Sequence, residues 1–164
     1  MAVGPIARRL LGPFEVPAAA LYRSVFLDIA DLVRVLGEWT NPTTILEVGC
    51  GEGAITERLA ATFPEARITA IDITDRIGRL FGGDPTRVLF QQRRIDEVAE
   101  EQAGCFDLVL ISDVLHHVPK AMHVEFLRSA GTARAASGWL VLKDWIRAPT
   151  MIHGLCTFCE RYVT

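Results

Sequence analysis

Residues 45 to 53 read Ile-Leu-Glu-Val-Gly-Cys-Gly-Glu-Gly, an apolar run with one acid in it that breaks into three alternating glycines. An amphipathic segment follows directly, so the chain must leave a strand, turn tightly and enter a helix. Glycines at 49, 51 and 53 let the backbone take positive φ values and come close to a ligand that any side chain would hold away. Glu47 stands two residues before the first of them, and Cys50 lies inside the loop. A second acid, Asp72, closes the next apolar run, Ile68-Thr-Ala-Ile-Asp72, with Ile73 after it. Doubly wound folds use an acid at the tip of the second strand to take the hydroxyl pair of a ribose.

The spacing Gly49-x-Gly51-x-x-Ala54 also satisfies the dinucleotide fingerprint, so the loop alone leaves two ligand classes open. Glu47 argues against the first. A pyrophosphate would be repelled by a carboxylate beside a helix N-terminus, whereas a ligand carrying an ammonium group would be attracted by one. In these residues the sequence resembles the class I S-adenosylmethionine-dependent methyltransferases, whose first motif, E/D-x-G-x-G-x-G, is matched by Glu47, Gly49, Gly51 and Gly53. Phe106-Asp-Leu-Val-Leu-Ile-Ser-Asp-Val-Leu-His-His-Val118 looks like that family's fourth-strand motif, and Gly138-Trp-Leu-Val-Leu-Lys-Asp144 like its fifth strand. Four landmarks in order over residues 44 to 145 carry the resemblance. It implies a Rossmann-like, doubly wound, mostly parallel α/β sheet that binds S-adenosylmethionine and releases S-adenosylhomocysteine.

Length and charge narrow the class. A chain of 164 residues, half of them hydrophobic, is sized for one domain with one core. A formal charge of −3 offers no basic field for nucleic acid. Charged residues interrupt every apolar stretch before the ~18 residues of a membrane span, and the Arg8-Arg9 start lacks the apolar core of a signal peptide. The expectation is a soluble, cytoplasmic chain with a small-molecule acceptor. Cys50 and Cys105 stand at no disulfide-framework spacing. His153, Cys156 and Cys159 could line one helical side, but a structural zinc site needs four ligands, which leaves packing as the plainer reading.

Leu21, Val25, Phe26, Ile29, Leu32, Val33 and Leu36 predict an amphipathic helix over 18–37 that stops at Gly37. Strands are expected at the glycine motif and at 67–71, 87–91, 106–111 and 138–143, with helical material between them and helices on both sheet faces. The organisation reads as an N-terminal helical lid (1–40), a cofactor-binding core (41–147) and a C-terminal helix (148–164). The family usually adds two strands after the fifth, and these are expected to be missing. That would leave Trp139-Leu-Val-Leu-Lys143 as an apolar edge, open to pairing with another copy or to strand exchange, or would mark the sequence as a truncated piece.

Methyl transfer asks mainly for alignment and a dry pocket, so the resemblance assigns mostly binding residues. Glu47 would take the methionine ammonium, the backbone from Gly49 to Gly53 would pass beneath methionine and ribose, and Asp72 would accept both ribose hydroxyls. For Asp72 a helix N-cap is the alternative. At the adenine end the family has an acid and then a small residue. Here those positions hold Arg94 and Ile95, so Arg94 would stack on the ring or Asp96 would replace the acid. Ser112 would offer its backbone. Tyr22 and Arg23 would close over the cofactor, Arg23 neutralising its carboxylate, although both also suit a plain helix boundary.

The cluster with catalytic potential is Asp113-x-x-His116-His117, where either imidazole could deprotonate a phenol or hydroxyl; capping or packing is the alternative. The trio also resembles the Glu-x-x-Glu-His arrangement of ubiquinone-pathway O-methyltransferases, which is associated with a divalent metal. Replacing a carboxylate by His116 weakens that use, and no metal is expected. His123 reads as surface. The function so implied is a small-molecule methyltransferase, acting on a quinone- or phenol-like acceptor at oxygen. The alternatives are a cofactor-binding relative without methyl transfer, regulatory or pericyclase-like, and an NAD-dependent oxidoreductase, which Glu47 disfavours.

Overall fold

The computed structural model describes residues 29–144, and residues 30–144 fall within one compact unit. Tyr22, Arg23, Trp145, the C-terminal segment and the His153, Cys156 and Cys159 group lie outside the described residues. The elements are α1 (Ile29–Trp39), β1 (Thr44–Val48), α2 (Ala54–Thr62), β2 (Arg67–Asp72), β3 (Val88–Gln92), α3 (Ile95–Glu101), β4 (Phe106–Ser112), α4 (His123–Ala133) and β5 (Arg134–Lys143). Two single 3₁₀ turns, Leu115–His117 and Lys120–Met122, link β4 to α4. The described part of the N-terminal helix runs on through Gly37 to Trp39 rather than stopping at the glycine. Gly37 sits in the helix because it faces α2, where an added Cβ would come within 3.2 Å of the Thr62 methyl.

All five strands pair in parallel in the order β3-β2-β1-β4-β5. Parallel strands are covered on both faces and therefore read as apolar runs, as Ile45–Val48 and Leu108–Ile111 do. Register separates the faces. Leu46, Val48, Ile71, Val109 and Ile111 share one face and form a core with Ile95 and Val98 of α3 and Ala130 and Ala133 of α4. Ile45 aligns with Ile68 and Leu108 on the other face, and Glu47 aligns there with Ala70 and Leu110. Thr56 of α2 bonds Glu47, so α2 lies on that second face.

At its far end the sheet is pinned by Asp107, whose Oδ2 accepts from the Thr43 amide (2.9 Å), the Thr43 hydroxyl (2.8 Å) and the Thr44 amide (3.1 Å). These bonds hold the Asp107 carboxyl below its usual range.

The fifth strand starts earlier than its apolar run. Arg134 follows α4 without a loop and aligns with Phe106, but Leu108 aligns with Trp139, so β5 bulges between them. Gly138 makes the bulge possible, because a Cβ there would lie 2.8 Å from the Phe106 and Asp107 carbonyl oxygens. Beyond it Trp139, Leu140 and Leu142 stay exposed along the edge of the described sheet.

Candidate active site

The strand order reverses between β1 and β4, which is where open parallel sheets form a ligand crevice at the carboxyl ends of the strands. The glycine loop leaves β1 at this point. Its shape comes from β2: the Ile71 carbonyl accepts from the Gly49 and Cys50 amides at 2.8 and 3.1 Å, and Asp72 Oδ2 accepts from the Gly51 amide at 2.8 Å. From the segment after β2, the Gly78 amide donates to the Gly51 carbonyl at 2.9 Å and the Leu80 amide to the Glu52 carbonyl at 2.9 Å.

Two glycines are required for different reasons. Gly49 has φ +78, and a Cβ on it would come within 2.1 Å of a Val114 methyl, so its lack of a side chain serves the contact across the switch point. At Gly51, with φ +51, a Cβ would meet nothing within 4 Å. That glycine borders open space, the property of a cradle.

Glu47 is 2 % exposed. Its Oε2 accepts from the Thr56 hydroxyl at 2.6 Å, while Oε1, equally buried, has no hydrogen-bond partner among the described residues. Burial pushes the carboxyl up to about 7, with the nearby Asp72 charge adding to the shift and the Thr56 bond opposing it. A buried acid with one unmet oxygen is expensive unless a donor arrives. Cys50 is buried as well, and desolvation with the Glu47 and Asp72 charges drives its thiol far above the usual range, which leaves no nucleophile there.

Asp72 does not cap a helix. Its Oδ1 accepts from the Thr74 amide at 3.0 Å and its Oδ2 from Gly51, so each oxygen keeps acceptor capacity for a further donor. Ile73, next to it, is 76 % exposed. Arg94 stands at the N-cap of α3 in an ion pair with Asp96, Nε to Oδ1 at 2.9 Å, so the two side chains proposed as separate adenine partners are spent on each other. The Ile95 side chain belongs to the core, which leaves only its backbone for a ligand. Ser112 is buried and donates its hydroxyl to Asp113 Oδ2 at 3.0 Å.

After β4 the chain turns through Asp113 at φ 58, a left-handed conformation that Asp tolerates better than most residues. Lys143 holds the turn: its carbonyl accepts the Asp113 amide at 2.9 Å, and its Nζ lies 2.6 Å from both Asp113 carboxylate oxygens. His116 turns instead to Asp144, with Nδ1 2.6 Å from Oδ1, and His117 is exposed, its ring 4.0 Å from that of His116. The Asp113, His116 and His117 trio is thus divided between separate partners. Among the described residues no group of three His, Cys, Asp or Glu side chains converges on a metal position. His123 is half-buried at the start of α4, its Nε2 donating to the Val118 carbonyl at 2.8 Å, so its ring is tied to the preceding turn rather than loose on the surface. Thr56, Val114, Lys143 and Asp144 are site residues that sequence reasoning missed. Only Thr56 had a local signal, a hydroxyl one turn into the helix that leaves the loop.

A family model described as a methyltransferase domain matches residues 45–138, from the second residue of β1 into β5 and over more than half of the chain. This chain belongs to the methyltransferase-domain family. The ubiquinone biosynthesis O-methyltransferase of Bordetella avium is 32% identical over 109 residues, 64% of this chain and 44% of that protein. This methyltransferase domain therefore spans less than half the length of the curated relatives it matches. Among solved structures, the 1,6-didemethyltoxoflavin-N1-methyltransferase of Burkholderia thailandensis, with 1,6-didemethyltoxoflavin and S-adenosylhomocysteine bound, has a TM-score of 0.59 at 19% identity over 87% of this chain and 64% of its own. The N-methyltransferase NodS of Bradyrhizobium japonicum, in complex with S-adenosylhomocysteine, has a TM-score of 0.56 at 26% identity over 70% and 58%. The expected Rossmann-like methyltransferase fold, with its parallel sheet and flanking helices, is the one found. No described helix is long and apolar enough to cross a membrane.

Proposed function

We propose that this methyltransferase domain binds S-adenosylmethionine and methylates a small molecule at oxygen, with a phenol- or quinol-like hydroxyl as acceptor. The observation that carries the reading is Glu47, a carboxylate buried behind a glycine loop with an unmet oxygen, suited to the ammonium of an amino-acid ligand. A pyrophosphate would find repulsion there. The acceptor class draws further support from the relatives named for ubiquinone O-methylation.

Each element of the site has a role in this reading. Glu47 receives the ammonium, Gly51 leaves room for the ligand, Asp72 accepts the ribose hydroxyls with its remaining lone pairs, and exposed Ile73 offers an apolar face to the base. In this reading Ile95 and Ser112 contribute through their backbones, while Arg94 serves α3 through Asp96. When bound, S-adenosylmethionine supplies an electrophilic methyl group on a sulfonium. The chain then has to align the acceptor, exclude water and take one proton, the role this reading gives to the histidine pair His116 and His117 beyond β4.

Calorimetric titration with S-adenosylmethionine and S-adenosylhomocysteine, with NADH as control, tests the cofactor. Micromolar binding of both, and none of NADH, is the expected result. Binding of NADH alone would overturn it. A screen of phenols and hydroxylated metabolites with the full-length protein then tests the acceptor, and activity confined to amines would refute methylation at oxygen.

A further inference from the structure

Thr56 is wholly buried in the first turn of α2, and its hydroxyl donates to Glu47 Oε2 at 2.6 Å. Among the described residues this is the one hydrogen bond that the Glu47 carboxyl receives, since Oε1 has no partner. The register partners of Glu47, Ala70 of β2 and Leu110 of β4, are apolar and fully buried. The titratable groups that face it are Asp72 at the end of β2, a like charge, and Cys50 of the glycine loop, whose thiol stays protonated. A threonine within a helix has another use for its hydroxyl, which can bond the carbonyl one turn back, here that of Glu52. Thr56 instead reaches across to β1.

We propose that Thr56 is a positioning residue for the cofactor: its hydroxyl fixes the Glu47 carboxyl, favours the ionised form, and so sets the pH range over which the site takes a cationic ligand. This rests on the S-adenosylmethionine reading above. A hydroxyl donates more strongly to a carboxylate than to a neutral acid, so the bond opposes what burial and Asp72 do to Glu47. Both groups are dry, so the carboxylate charge acts on an ammonium through space and needs no exposed oxygen.

The Thr56 oxygen also carries lone pairs. When Glu47 is protonated, that oxygen can accept the acid's proton as a hydrogen bond, so the side chain keeps its place while its charge comes and goes. Ionisation then asks for no change of rotamer. A threonine that only filled space would change affinity by the same factor at every pH, whereas this one should move the pH at which affinity appears.

The Glu47 titration can be followed without any ligand, from the ¹³C shift of its carboxyl in glutamate-labelled protein, with Glu47→Gln for assignment. Thr56→Val, which keeps the shape and removes the hydroxyl, should raise the midpoint by about one pH unit. Thr56→Ala should shift it likewise, and Thr56→Ser should leave it near the wild-type value. Calorimetry with S-adenosylhomocysteine should then show Thr56→Val binding about fivefold more weakly than wild type at pH 7, the two converging by about pH 8.5. A midpoint unmoved in Thr56→Val would overturn the proposal and leave the hydroxyl to its own helix. So would an affinity lowered equally at every pH, the signature of packing alone. Absence of S-adenosylhomocysteine binding in the wild-type protein would sink the cofactor reading, while the carboxyl midpoint would still decide whether Thr56 governs Glu47.

Discussion

Ligand binding at Glu47 should be linked to protons, and the structure sets the size of the effect. In the folded protein burial pushes the carboxyl up to about 7, against an ordinary value of 4.5. The folded state therefore keeps a proton that the unfolded chain gives up. That stabilising contribution is complete below pH 4.5 and is lost as pH rises toward 7. An ammonium ligand reverses the preference, since it needs the carboxylate. If only the ionised form binds, apparent affinity scales with the ionised fraction: about fivefold stronger at pH 7 than at pH 6, and about fifteenfold stronger than at pH 5.5. Titrations with S-adenosylhomocysteine across that range, in buffers of differing ionisation enthalpy, would read both the affinity and the protons released. Glu47→Gln should flatten the profile, which assigns the dependence to this group. A wild-type affinity independent of pH from 5.5 to 7, with no proton release, would refute the reasoning.

Three further outcomes are expected. Asp72→Ala should abolish S-adenosylhomocysteine binding, since it removes both the proposed ribose acceptor and the Gly51 tether; unchanged affinity in calorimetry would remove that assignment. Gly49→Ala should cost about 2–4 kcal/mol in urea unfolding, from positive φ and overlap with Val114, and Val114→Ala in the same chain should restore part of it. Asp107, whose carboxyl is held low by Thr43 and Thr44, should contribute about 1–2 kcal/mol at neutral pH, lost as pH falls through its depressed value; Asp107→Ala should weaken the acid-side fall in thermal stability, and an unaltered curve would count against it.

What the sequence made legible was local. Apolar runs marked the strands to within a residue or two at β2, β3 and β4, because parallel strands are buried on both faces. The glycine loop and Asp72 were readable because their conformation restricts residue type. The start of β5 was not, since Arg134-Ala-Ala-Ser carries no apolar signal and is a strand only through its neighbour β4. Arg94 was read as a ligand contact, but Asp96, two residues on, engages it. His116 was indistinguishable from His117 until Asp144, 28 residues away, picked one of them. Pairings of that kind arise where strand ends converge and leave no periodic trace.

The glycine loop is held in shape by the fold itself, its amides and carbonyls tied to Ile71, Asp72, Gly78 and Leu80. The entropy of shaping it is therefore met once, during folding, and not at each encounter with a cofactor. Association should follow single-phase kinetics whose rate rises linearly with ligand concentration, with no slow rearrangement of the loop to limit turnover. Substitutions at Gly78 or Leu80, which the ligand need never touch, should then act on occupancy by loosening a receptor that is otherwise ready-made.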